Sequence, residues 1–187
     1  MSIAAIPSDP FTRRLQKIGQ MIANGDLPNA ASEMNAALKE QPNDPRIYLL
    51  GMRLSEAKGE PERALEDVRK AVSLNPVWVV SVTELAMLLS RLGRHDEAIQ
   101  QAKKAAALEP NSIDMLTRAV DIAHSALKFD VALGWLARLA DLRPANAHYK
   151  ALMAHDHRFL GDNAKALAIY QDLLAANPLD TVALLGR

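Results

Sequence analysis

Four histidines and two aspartates gather in the C-terminal part of the chain: His124, His148, His155 and His157, with Asp121 and Asp156. Imidazole and carboxylate together are the donor set of a transition-metal site. Their spacing argues against one. On a helix, His155 and His157 would stand about 200° apart around the axis, so both cannot face one ion. His148, His155, His124 and Asp121 would converge only if separate helices carried them into one groove, and solvated surface histidines explain the set more simply. No metal and no other cofactor is expected. Asp114 and Asp121 share a helical face, yet carboxylates on an open, wet surface lack the burial that shifts a pKa toward acid or base work. The chain has no glycine-rich phosphate loop, no His-Glu-x-x-His and no GxSxG turn. It also has no cysteine, which removes disulfides, thiolate zinc sites, a cysteine nucleophile and a lipidated cysteine. This chain by itself is not expected to be an enzyme.

Charge narrows the partners. Lys and Arg total 22 and Asp and Glu total 22, and a neutral chain gives no electrostatic reason to bind nucleic acid or an acidic membrane surface. Charged residues interrupt every helix-like segment, so no run approaches the roughly 18 apolar residues of a membrane span. Met1 to Ile6 meets Pro7 and Pro10 without a basic leader or an apolar core of signal-peptide length. The cytoplasm is the expected address.

The elements that carry these side chains follow from a period. Proline recurs at Pro42, Pro76, Pro110, Pro144 and Pro178, each 34 residues after the last. At the average proline frequency, four further hits in register would arise by chance roughly 6 times per million, so the period is real. Ala30, Ala64, Ala98, Ala132 and Ala166 keep the same register, led by Gly25, Gly59, Gly93 and Gly161, with Leu127 breaking the glycine column. Each glycine separates two segments whose apolar residues recur at helical spacing, a helix stop followed by a helix start. In the third unit Val82, Leu85, Ala86, Leu89 and Leu92 form the face of a first helix, and Ala98, Ala102, Ala105 and Leu108 that of a second. The small alanine admits close backbone approach. The proline ends the second helix and restricts the residue before it.

In length, helix pairing and these three columns the chain resembles the tetratricopeptide repeat family. The resemblance divides it into an N-terminal extension (1–10), repeats at 11–44, 45–78, 79–112, 113–146 (degenerate) and 147–180, and the start of a sixth at 181–187. It implies an all-α fold, a right-handed α-α superhelix of five helix-turn-helix units, and a scaffold that binds other polypeptides. Only Tyr48 supplies the family's large aromatic at the fourth repeat position, where Arg14, Val82, Leu116 and Lys150 stand otherwise.

In this family a concave groove is lined by positions 2, 5, 9 and 12 of the first helices. Carried over, these are Thr12, Leu15, Gly19 and Ile22; Arg46, Leu49, Arg53 and Glu56; Val80, Thr83, Met87 and Ser90; Asp114, Thr117, Asp121 and His124; and His148, Ala151, His155 and Arg158. The expected groove runs from basic Arg46 and Arg53 past Leu49, through Thr83 and Met87, to Asp114, Thr117 and Asp121 facing His148, His155 and Arg158. Mixed charge of this kind suits an extended peptide or a partner helix, although the same side chains could pair among themselves. The lysine and asparagine clamp that some relatives use on chaperone tails is missing: its positions hold Leu15 with Gly19, Leu49 with Arg53, and Thr83 with Met87.

Three departures are expected to matter. Leu127, together with Gly134 inside a helix, predicts a looser or kinked fourth hairpin. Trp135 replaces the polar Glu33, Asp67 and Gln101 of earlier units, as variant core or as an exposed contact point. Val182, Leu184 and Leu185 open a sixth first helix without a second to cover it, which suggests a fragment of a longer protein or self-association. The alternative to a free-standing scaffold is therefore the N-terminal recognition module of a larger glycosyl-, sulfo- or methyltransferase.

Overall fold

The computed structural model describes residues 9–179 and 181–186. Among them are eleven helices: α1 (Pro10–Ala23), α2 (Leu27–Glu40), α3 (Pro45–Ala57), α4 (Pro61–Leu74), α5 (Val79–Arg91), α6 (His95–Leu108), α7 (Ile113–Ser125), α8 (Phe129–Leu142), α9 (Ala147–Phe159), α10 (Asn163–Ala176) and α11 (Thr181–Gly186). The described residues hold no strand, so the all-α, helix-turn-helix expectation is met. The helices group into two compact units, unit 1 up to Leu85 and unit 2 from Ala86.

The columns act as their chemistry requires. The residue before each repeating proline, Gln41, Asn75, Glu109, Arg143 and Asn177, caps a second helix, with φ between −128° and −142° and ψ between 67° and 97°. These angles lie outside the helical region, which a following proline disfavours. Ala30, Ala64, Ala98 and Ala132 are 0% exposed and Ala166 is 2% exposed. In unit 1 Phe11, Leu15, Ile18, Ala30, Ala37, Ile47 and Leu54 form one core cluster. In unit 2 Ala151, Ala154, Ala166, Tyr170 and Leu173 form another, and it includes Ala183 of α11. Val182, Leu184 and Leu185 point away from that cluster and are exposed.

The fourth hairpin is not loosened. Leu127 adopts φ 54°, close to the 71–82° of Gly25, Gly59, Gly93 and Gly161, and α8 runs unbroken through Gly134. Surrounding packing thus holds leucine in a backbone region that costs an L-residue about 1–2 kcal/mol. Because the Leu127 side chain is exposed, L127G removes that strain while losing little burial. A gain of about 0.5–1 kcal/mol is expected in urea unfolding, net of glycine's entropy in the unfolded chain. An unchanged or lower midpoint would show that the leucine is not strained.

Trp135 is half-buried, as are Glu33, Asp67 and Gln101, so this column is the flank of the helix pair rather than its centre or its surface. Asp67 shows what the flank meets: Ser55 donates its hydroxyl to Asp67 Oδ2 at 3.3 Å, and a Cβ at Gly51 would lie 2.9 Å from the same oxygen. Glycine therefore makes room for the carboxylate. Burial raises the Asp67 carboxyl above its ordinary range, and the Ser55 hydrogen bond and Arg63 offset this only in part. A raised pKa means that the folded chain holds this proton more tightly than the unfolded one. The associated stability is present below the ordinary carboxylate pKa and is lost as pH rises through the raised value. D67N should therefore raise Tm at pH 7 by about 2 °C, and its advantage should vanish on acidification to about pH 3. A gain that persists at low pH would point to a cause other than charge.

Candidate functional site

Unit 1 carries an open trough of about 560 Å³. Helix periodicity builds it: α1 contributes Thr12, Leu15, Gln16, Gly19, Gln20 and Ala23, and α3 contributes Arg46, Leu49, Leu50 and Arg53. Residues three and four apart share a helical face, so two parallel stripes line the hollow, closed off by Trp78 and Val80. Leu15 and Leu49 are each 6% exposed and form the floor. Gly19 leaves the floor open, since a Cβ there would meet only Leu50 Cδ2, at 3.6 Å.

The two arginines differ in how they are held. Arg46 grips Asp44 through Nε, at 3.0 and 3.1 Å, and Nη2, at 2.6 Å, and its Nη1 donates to Thr12 Oγ1 at 3.0 Å. Its guanidinium also lies over the Phe11 ring, 5.8 Å from the centroid. Asp44 in turn caps α3 by accepting from the Arg46 backbone N–H. Burial alone would raise the Asp44 carboxyl, but the Arg46 hydrogen bonds outweigh it and hold the carboxyl below its usual range, while the same contact raises Arg46. Arg53 has only a loose ion pair, Nη2 to Glu84 Oε1 at 3.8 Å.

Unit 2 has a smaller hollow, about 280 Å³, that includes Met87, Ser90, Arg118, Asp121 and Ser125. Arg118 binds Asp114 at 2.9 Å and points Nη1 at Met87 Sδ, 3.2 Å away, and Ser90 and Ser125 share a hydrogen bond of 2.7 Å. A third hollow, about 330 Å³, is lined by His155, Arg158, Phe159 and Asn163. There the Phe159 ring stacks on Phe129 with centroids 4.6 Å apart, and His155 tilts against Phe159.

Of the groove residues read from the sequence, Arg46, Leu49 and Arg53 meet in the first trough, Met87 and Asp121 in the second hollow, and His155 and Arg158 in the third. Thr117 is exposed on α7. His148 is exposed and tilts against Tyr149. Two expectations need correction. Thr83 is 9% exposed, so it lies beneath the surface rather than on it. The aspartates expected to face His148, His155 and Arg158 do not pair with them: Asp114 pairs with Arg118 along its own helix, and the acid bonded to a groove histidine is Asp156. His124 Nε2 lies 2.9 Å from Asp156 Oδ2, and Asp156 is fully buried, its Oδ1 without a hydrogen bond and 3.6 Å from His155 Nδ1. Gln16, Gln20 and Leu50 of the first trough escaped the sequence reading because they sit beside the carried-over positions, and Trp78 because it lies in the turn before α5. Among the described residues no three His, Cys, Asp or Glu side chains converge as metal ligands, and no helix is long and apolar enough to cross a membrane.

Residues 81–112 match the family model described as tetratricopeptide repeat. The chain is 27% identical to the tetratricopeptide repeat and J domain-containing co-chaperone DNJ1 of Fusarium oxysporum f. sp. lycopersici, over 94% of this chain and 35% of that protein. It is also 27% identical to mouse tetratricopeptide repeat protein 28, over 64% of this chain and 5% of that protein. It thus spans about a third or less of the relatives' length. Among solved structures it is similar to MamA, with TM-score 0.70 and 18% identity over 88% of this chain and 90% of that one. It is likewise similar to YrrB, a TPR protein with an unusual peptide-binding site, with TM-score 0.71 and 16% identity over 95% and 97%.

Proposed function

We propose that this chain, a tetratricopeptide-repeat protein and hence a scaffold for protein–protein interaction, holds an extended segment of a partner protein in the trough of unit 1. One observation carries the reading: a solvent-open hollow with an apolar floor, bordered by arginines on α3 and by exposed glutamine amides on α1. Such a lining gives an extended chain apolar pockets for its side chains and hydrogen-bonding groups for its backbone. It holds no acid or base pair set for catalysis, and the reading is of a binding surface. That the chain corresponds to only part of its longer relatives favours a second reading, in which the same trough recruits a target to a longer polypeptide. The two share one binding chemistry and separate by the mass of the native protein. Self-association through Val182, Leu184 and Leu185 is a further proposal, which light scattering reporting a monomer at all concentrations would remove.

Filling the floor tests the trough directly. G19L places a side chain into the open space above Leu50 while replacing glycine inside a helix, which favours the helix by about 0.5–1 kcal/mol. Peptides selected from a displayed library on the unaltered protein should bind G19L at least tenfold more weakly, with Tm unchanged or higher. Selected peptides that bind G19L equally well would place recognition elsewhere.

A further inference from the structure

We infer that the unit 1 trough selects a segment in which an apolar side chain stands within two residues of a carboxylate, on either side, and that Glu84 competes with that carboxylate for Arg53. The inference rests on the groove reading above and narrows it to one partner chemistry. Leu15, Leu49, Leu50 and Gly19 give the floor nothing polar to offer, so the anchoring side chain must be apolar. Neither aspartate nor glutamate lines the trough, so its charged border favours an acidic ligand.

Arg46 contributes little to reading that acid, because Asp44 already occupies the side of its fork and Thr12 takes a further N–H. Arg53 is placed differently. Its side chain is 54% exposed, and its contact with Glu84, at 3.8 Å, is longer than a hydrogen bond, so it contributes little and exchanges readily. Arg53 stands three residues beyond Leu50 on α3, a rise of about 4.5 Å. An extended ligand advances about 3.3 Å per residue, which sets the carboxylate one or two residues from the anchor. Gln16 and Gln20, one turn apart on α1 and exposed, border the same space and can pair with the ligand's backbone.

Glu84 then acts as an internal occupant of the site. An incoming carboxylate must displace it, so removing its charge should tighten binding of acidic ligands, whereas removing Arg53 should loosen it. A residue that merely stabilised α5 would not produce this opposition.

The probe is a capped octapeptide of glycine and serine with leucine at its fourth position and glutamate at its second and sixth, compared with the same peptide carrying glutamine at both. Each is titrated to millimolar concentration against the full chain by 1H–15N NMR, with the Gly19 amide and the Gln16 and Gln20 side-chain amides reporting location. The glutamate peptide is expected to move these resonances and to bind at least threefold more tightly than the glutamine peptide. R53Q should erase the difference, and E84Q should tighten the glutamate peptide at least threefold without affecting the other. Equal affinities for the two peptides, no shift at Gly19, or an E84Q variant that binds the acid no better would each overturn the inference. Failure here is separable from failure of the trough: a library selection that yields G19L-sensitive peptides lacking the acid overturns this proposal alone, and one that yields none overturns both.

Discussion

Replacing His124 by alanine is expected to lower the stability of unit 2 by about 2–4 kcal/mol, because it strips a fully buried carboxylate of its hydrogen bond. Asp156 is 0% exposed, and its Oδ2 accepts a hydrogen bond from His124 Nε2 at 2.9 Å. Its other oxygen accepts no hydrogen bond, with His155 Nδ1 standing 3.6 Å away, so no second bond compensates. The two tryptophans make the effect local to measure, since Trp78 lies in unit 1 and Trp135 in unit 2. Urea unfolding followed by fluorescence in a W78F background should show the Trp135 transition moving to lower denaturant on H124A. In a W135F background the Trp78 transition should move much less, because stability in a repeat array is close to a sum of local terms. Replacing both partners with apolar residues, H124M with D156L, should lose less than H124A alone, since it removes the buried charge together with its partner. If H124A leaves the Trp135 transition in place, water must reach Asp156 and the histidine is dispensable.

The same residue shows where reading the sequence stops. Proline, glycine and alanine columns were legible because each has one backbone task per repeat: the pre-proline caps leave the helical region, the turn glycines have positive φ, and the alanines are buried. Leu127 was legible as a departure but not in its outcome, because a packed hairpin can impose the glycine conformation on leucine, and only three-dimensional context decides whether it does. Arg46, Leu49 and Arg53 were legible as neighbours because the family resemblance implies one groove face for their repeat positions, and spacings of three and four residues keep them on one stripe of α3. Which partners they would choose was not, for a side chain's partner depends on distances that spacing does not contain. Asp156 did leave a signal. It occupies the repeat position filled by Leu54, Leu88 and Ile122, all at most 4% exposed, with an exposed Gln20 only in the first unit, so an acid in this mostly apolar column marked a buried charge needing a partner. Grouping it with the neighbouring histidines by sequence distance obscured that column.

The second large effect is expected at the alanine column. Ala64 is fully buried on α4, which packs against α3, and three added carbons have no cavity to enter. A64L should therefore cost about 3 kcal/mol through forced rotamers or separation of the helices, read as a lower urea midpoint of Trp78 fluorescence in the W135F background. A57L, on an exposed position of α3, is the control and should change stability by less than about 0.5 kcal/mol. A midpoint lowered equally by both variants would mean that bulk on these helices, rather than the close contact, is what the hairpin rejects. The consequence reaches the trough, because α3 carries Arg46, Leu49, Leu50 and Arg53 toward the stripe on α1. Pushing α3 off α4 displaces that stripe as a body. A64L should then weaken peptide binding even at urea-free concentrations where unit 1 remains folded, whereas A57L should leave it intact. On this argument the alanine column, which keeps the register of the proline period, also fixes where α3 holds its side of the groove.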